Sequence, residues 1–145
     1  MTREDLKNYF YNKKWIDSQL EKYLEQKQRA EGIKAVVLDG MPKGHNTPNY
    51  AIEELLDRYD ELIAYCNKEQ EKLNEINKQL LNMENSQYRL ILTYRYLNGK
   101  SLGWIADELN YDYYEICKRH GLALEEFDKL DEKIELHKKT QENTN

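Results

Sequence analysis

The sequence predicts an all-α protein, with long coiled-coil-type N-terminal helices, antiparallel or paired between chains, followed by a small helix-turn-helix bundle. Three observations carry this. Apolar side chains recur at steps of three and four over most of the chain. There are only two prolines and six glycines in 145 residues, so little interrupts a helix. Charged residues make up 34% and apolar ones 39%, a mix that suits long solvent-exposed helices rather than a thick core.

In residues 3–31, Leu6, Tyr9/Phe10, Ile16, Leu20 and Tyr23/Leu24 lie on one helical stripe, which predicts an amphipathic helix ended by Gly32. The short run Ala35-Val36-Val37-Leu38 predicts an extended segment packed on a helix, since a lone strand has no partner. Asp39 to Pro48 holds both prolines and two glycines and predicts a loop.

Residues 50–84 give the cleanest pattern. Ile52, Leu55, Tyr59, Leu62, Cys66, Glu69, Leu73, Ile76, Leu80 and Met83 follow a strict 3-4 alternation, broken in character only by Glu69. This predicts a helix about 50 Å long at 1.5 Å per residue. Its seam needs cover from helix 3–31, from a second subunit, or from both. Leu55, Tyr59, Leu62, Cys66, Leu73, Ile76 and Leu80 are the expected oligomerisation residues. Cys66 reads as a small seam residue, and Glu69 as a register-setting polar group or a solvated gap. Trp15 is expected between helices.

Residues 86–97 predict another apolar helix, possible as a continuation of the long one, and Asn98-Gly99-Lys100 a turn. In 101–120, Ser101 can cap a helix whose apolar face is Ile105, Ala106 and Leu109. Asn110 tolerates the left-handed backbone of a sharp turn. Asp112 can cap a second helix, with Ile116 pointing back at the first. Leu122, Ala123, Leu124, Phe127 and Leu130 are expected to close a core with Leu90, Ile91, Tyr94 and Leu97. Trp104 is expected in or beside that core. From about residue 138 the chain is polar, and disorder is expected there. The resulting division is 1–85 as a coiled-coil module containing loop 33–49, 86–130 as a helix-turn-helix module, and 131–145 as a helix end and polar tail.

Composition bounds function. Cys66 and Cys117 are far apart and form no metal-binding pair, so neither a zinc site nor a disulfide framework is expected. His45 and His120 have no ligand partners at helical spacing, and His120 is expected to cap or pack near a helix end. No apolar run approaches the roughly 18–20 residues of a membrane span. The charged N-terminus lacks a signal-peptide pattern, so a cytoplasmic location is expected. Net charge is −5, which by itself argues against nucleic acid. The acidity lies elsewhere than in the helix-turn-helix, however: residues 35–85 carry −5, whereas 86–124 carry +1. Asp39, Lys43 and His45 invite an enzyme reading. No second catalytic cluster, phosphate-loop pattern or α/β alternation supports it, so neither catalysis nor a cofactor is expected.

The run from Ile91 to Leu109, with Arg95-Tyr96-Leu97-Asn98-Gly99 leading into Ser101 and Ile105-Ala106-x-x-Leu109, resembles region 4 of bacterial sigma factors. Lys118-Arg119-His120-Gly121-Leu122-Ala123-Leu124 resembles the end of that family's recognition helix. Together with the Asp39-Gly40-Met41-Pro42-Lys43-Gly44 loop and the long N-terminal helices, the chain is similar to phage late-gene transcription regulators of the RinA/ArpU type. The resemblance implies a DNA-binding activator of late or packaging genes in the cytoplasm of a bacterial host.

A helix-turn-helix places its second helix in the major groove. With Ile116 inward, Tyr113, Tyr114, Cys117 and Lys118 face outward as groove-contacting candidates, and Glu115 can accept from a cytosine amino group. Tyr113 and Tyr114 can equally pack on neighbours. Arg119 suits a phosphate contact or an ordinary surface charge. Arg95, Lys100 and the helix start at Ser101 are phosphate-anchor candidates. Arg89 and Lys100 can also be merely solvated. The expected partners are double-stranded DNA, a second copy or higher oligomer, and host RNA polymerase, with no membrane. The alternative is a non-catalytic adaptor whose coiled coil binds a protein and whose helix-turn-helix reads no DNA.

Overall fold

The computed structural model describes the backbone of residues 1–38 and 48–143, and the side chains of 1–31 and 53–143. Every regular element among them is helical: α1 (Arg3–Leu38), α2 (Pro48–Leu81), α3 (Ser86–Leu92) running into a π turn (Thr93–Leu97), α4 (Leu102–Leu109) and α5 (Tyr113–Glu142). No described helix is long and apolar enough to cross a membrane.

The ends of these helices correct three expectations. Gly32 does not stop α1, which runs on through Val36 and Val37 to Leu38. One helical glycine costs only about 1 kcal/mol. An unpaired extended segment would leave its backbone groups without partners, whereas a helix satisfies them locally. The polar tail is also helical, to Glu142. Its Lys, Gln and Glu are good helix formers, and Thr140 donates its hydroxyl to the Leu136 carbonyl at 2.9 Å. Helices α2 and α3 are separate. Asn85 caps α3 by accepting from the N–H groups of Gln87 and Tyr88, and Glu126 accepts from the N–H groups of Glu84 and Asn85. The Asp39–Gly44 loop and His45 lie outside the described residues.

The helices form two compact units. One comprises Met1–Tyr11 and Glu71–Asn145, the other Asn12–Gln70. The first holds the larger core. Leu6, Phe10, Ile76, Met83, Leu92 and Phe127 meet there with Tyr96, Ala123 and Leu124. Fully burying each large apolar side chain contributes about 1.5–3 kcal/mol. The expected core is off by register. Leu92, rather than Leu90, enters it, while Leu90 and Leu122 stay more than one-third exposed. Buried Gln79 is a polar pin in this core. Its amide N–H groups donate to the carbonyls of Met1 (2.6 Å) and Phe127 (2.9 Å), and its oxygen accepts from the terminal amine at 2.9 Å. Asp128 accepts from the backbone N–H and the guanidinium of Arg3, at 2.8 and 2.6 Å.

The second unit is an antiparallel helical hairpin. Trp15 meets Tyr65 edge-on at 5.4 Å, Tyr23 stacks on Tyr59 at 4.8 Å, and Asn12 donates to Glu69 at 3.3 Å. As residue numbers rise on α1 they fall on α2, which fixes the direction. Trp15 lies against α2 as expected but keeps half its surface exposed.

The predicted seam of α2 divides between the units. Tyr59, Leu62 and Cys66 face the hairpin, and Leu62 is buried there. Ile76 and Leu80 are buried in the first unit's core, with Leu73 packed against it, so their apolar surface is used within the chain. Leu55 is half-buried.

Candidate nucleic-acid interface

A smaller core within the first unit sets the geometry of the site. Ile91 of α3, Ile105 and Ala106 of α4, and Ile116 of α5 are all buried together. Ala106 leaves room for α5 to cross close to α4. Tyr94, Leu102, Leu109 and Tyr111 cover the edges of this cluster.

Short-range chemistry then fixes each helix end. Ser101 accepts the Trp104 N–H at 3.1 Å and starts α4. Asn110 ends it in the left-handed region, at φ 58° and ψ 40°. The Asn110 N–H donates to the Asp107 carbonyl at 3.3 Å and the Tyr111 N–H to the Ala106 carbonyl at 2.9 Å. This is the paired bonding of a Schellman motif, and Tyr111 and Ala106 supply its hydrophobic contact. Asp112 accepts the Glu115 N–H at 2.9 Å and starts α5. The turn between the two helices is therefore only 110–112.

Beneath the turn lies a network that periodicity gave no hint of. The Arg119 guanidinium sits 4.5 Å over the Tyr111 ring, donates to Glu115 at 3.0 Å, and also donates to Gln87. Gln87 in turn donates to the Tyr111 hydroxyl at 2.9 Å. Arg119 thus ties the first turn of α5 to α3 from within. Glu115, the candidate cytosine acceptor, shares one oxygen with it. No sequence signal joins Gln87 to Arg119. The position of Tyr111, just past a left-handed Asn, marks it as the apolar partner of the turn.

The outer side of α5 carries the groove candidates. Tyr113 is 52% exposed and Tyr114 is 84% exposed, their rings edge to face at 6.1 Å. Lys118 is exposed and lies on the side of the helix opposite buried Ile116. Cys117 is half-buried between them, and its hydrogen bond to Tyr113 pushes that phenol above its ordinary pKa.

The phosphate-anchor candidates cluster where the π turn feeds α4. Arg95 donates to the Lys100 carbonyl at 3.1 Å and lies 5.0 Å over the Phe10 ring. Lys100 sits 4.8 Å over Trp104, whose ring is edge-on to Tyr94. Gly99 adopts φ 69°, the left-handed region open to glycine. Arg89 differs from its expected solvated state. It donates to the Leu80 carbonyl at 2.8 Å and to that of Met83, closing the C-terminal end of α2.

His120 lies well inside α5, because that helix continues to Glu142. Its Nε2 is 2.9 Å from the Tyr96 hydroxyl, and the two rings stack. Burial lowers its pKa, and the cations Arg95, Lys7 and Arg3 lower it further. Burial likewise raises the pKa of Tyr96. Among the described residues no cluster of His, Cys, Asp and Glu could hold a metal.

No protein-family model, curated protein or solved structure matches the chain.

Proposed function

We propose that this chain is a sequence-specific double-stranded DNA-binding transcriptional regulator, an activator of phage late or packaging genes working as an oligomer in a bacterial cytoplasm. One observation carries the reading: α4 and α5 are joined by a three-residue turn with a left-handed Asn110, Ile116 is buried, and Tyr113, Tyr114 and Lys118 point outward. This is the arrangement in which a second helix can enter a major groove. The resemblance to sigma-factor region 4 and to phage late-gene regulators supports it.

In this reading the exposed Tyr rings meet base edges and thymine methyl groups, and Lys118 meets base or phosphate. Arg95, Lys100 and the start of α4 receive the backbone. Arg119 acts as a brace that sets the angle of α5. Few cations face the duplex, so one module binds weakly. Joining two modules raises affinity through effective concentration. Activation then requires a contact with RNA polymerase.

Selection of bound duplexes from a random pool, followed by a salt series on the winner, tests this. An enriched motif whose affinity falls with salt is expected, with a slope near 0.9 per phosphate contacted. Tyr114→Ala with Lys118→Ala should abolish binding at unchanged helicity. Both side chains are exposed, whereas an Arg119 substitution would disturb the brace. The internal engagement of Arg119 and the net charge of −5 favour a second reading, an adaptor that binds protein alone. No enrichment and no binding at low salt would select it.

A further inference from the structure

The hairpin of residues 12–70 has an outer groove of about 450 Å³ between α1 and α2. Trp15, Tyr23, Tyr59 and Tyr65 line it. Trp15 is 51% exposed, an unusual state for the largest apolar side chain in the unit. Among the side chains described in this unit, only Ile16, Leu62 and Glu69 are buried, so two helices alone leave Trp15 half in water and Tyr23, Tyr59 and Tyr65 only partly covered. Each such ring can bury 150–250 Å².

We propose that this groove is the surface on which a second copy of the chain docks, two hairpins packing face to face as a four-helix bundle. The charge pattern selects that occupant. A two-fold interface uses the same patch twice, so the patch must be complementary to itself. This one carries both signs, with Lys22 and Arg58 against Glu61. Gln19 and Gln26, also on its walls, each donate and accept hydrogen bonds. Glu54 lies 3.7 Å from Arg58 and adds acid to the same rim. A partner of one charge sign would set like against like on part of this mixed rim. A second copy, turned about the two-fold, brings its acids to Lys22 and Arg58. Antiparallel helix pairs meeting at their apolar faces are the ordinary construction of such bundles. The docking surface shares Tyr59 and Leu62 with the periodic seam of α2, whose Ile76 and Leu80 are already buried within one chain.

The proposal rests on the hairpin alone, and its test reads mass without DNA, so its failure and that of the DNA-binding reading are separate results. Light scattering of the full chain across a dilution series should give the mass of two chains at the upper end. Trp15→Ser with Tyr65→Ser should raise the dimer dissociation constant by about tenfold or more, as for loss of central aromatic anchors. Lys22→Glu with Arg58→Glu should do the same, and because both side chains are exposed the helicity should not change. Adding Glu54→Lys and Glu61→Lys to that pair exchanges the signs and should restore the dimer. A single-chain mass at every concentration, a dimer indifferent to the aromatic and the charge substitutions, or no restoration by Glu54→Lys with Glu61→Lys would overturn it.

Discussion

The two units are built from the same helices, since α1 and α2 each contribute to both, yet they bury side chains very differently. Fifteen apolar residues are buried in the unit of 1–11 and 71–145, against two among the described side chains of 12–70. In the larger unit, α1 and α2 meet α3 and α5, and Phe127 closes the centre. In the hairpin each helix has one neighbour, and Trp15, Leu24, Leu56 and Ile63 remain exposed. The difference teaches that an apolar stripe is only an offer of burial. The number of helices around it decides how much is taken up.

Truncating a centre residue of each unit should break the comparison most visibly. Phe127→Ala should cost about 3–5 kcal/mol, whereas Leu62→Ala should cost about 2 kcal/mol, at the low end for its type. Urea unfolding followed by circular dichroism measures both. Equal losses would show that the hairpin is packed as firmly as the larger unit. Hydrogen exchange should place the Leu62→Ala effect within 12–70.

The turn provides a smaller and sharper probe. Asn110→Ala should cost about 1 kcal/mol, because a Cβ-bearing residue without a short polar side chain is strained in the left-handed region. Asn110→Gly should be neutral or stabilising. A loss with Gly equal to that with Ala would mean that the Asn side chain, not its backbone, holds the turn. Thermal unfolding separates the two.

The gentlest test is pH. Burial and the cations Arg95, Lys7 and Arg3 hold the folded-state pKa of His120 below its ordinary 6.5, with the Tyr96 hydroxyl and the acids Glu4 and Asp128 also near this cluster. The unfolded chain therefore binds the proton more readily, and stability falls as pH drops below about 6.5 until the folded-state pKa is passed. His120→Gln should flatten that part of the profile of melting temperature against pH. An unchanged slope would assign it to other groups.

What the sequence made legible follows the range of each interaction. Ser101, Asn110 and Asp112 act on groups within about one helical turn, so their residue types announced their roles. The outward face of Tyr113, Tyr114 and Lys118 followed from the same period that buried Ile116. Arg119 was open between phosphate contact and surface charge because its partner Gln87 lies 32 residues away. Arg89 looked solvated because its partners are backbone carbonyls, which carry no sequence signature. The α2 seam was plain as a stripe, but periodicity does not say what covers it. Leu62 is covered in the hairpin and Ile76 and Leu80 in the core that Phe127 closes. The continuation of α5 to Glu142 escaped notice because polarity was weighed above the helix-forming tendency of the same residues.

The shared burial of Leu6 and Phe127 bears on how the protein is made. A ribosome adding roughly 5–20 residues per second places these two side chains on the order of ten seconds apart. Through that interval Leu6, Tyr9 and Phe10 have no α5 to pack against. The nascent chain emerges with its apolar N-terminal turns in water, the condition in which a chain needs a chaperone or risks aggregation. The helix that carries Phe127 is what brings in the one that carries Leu6.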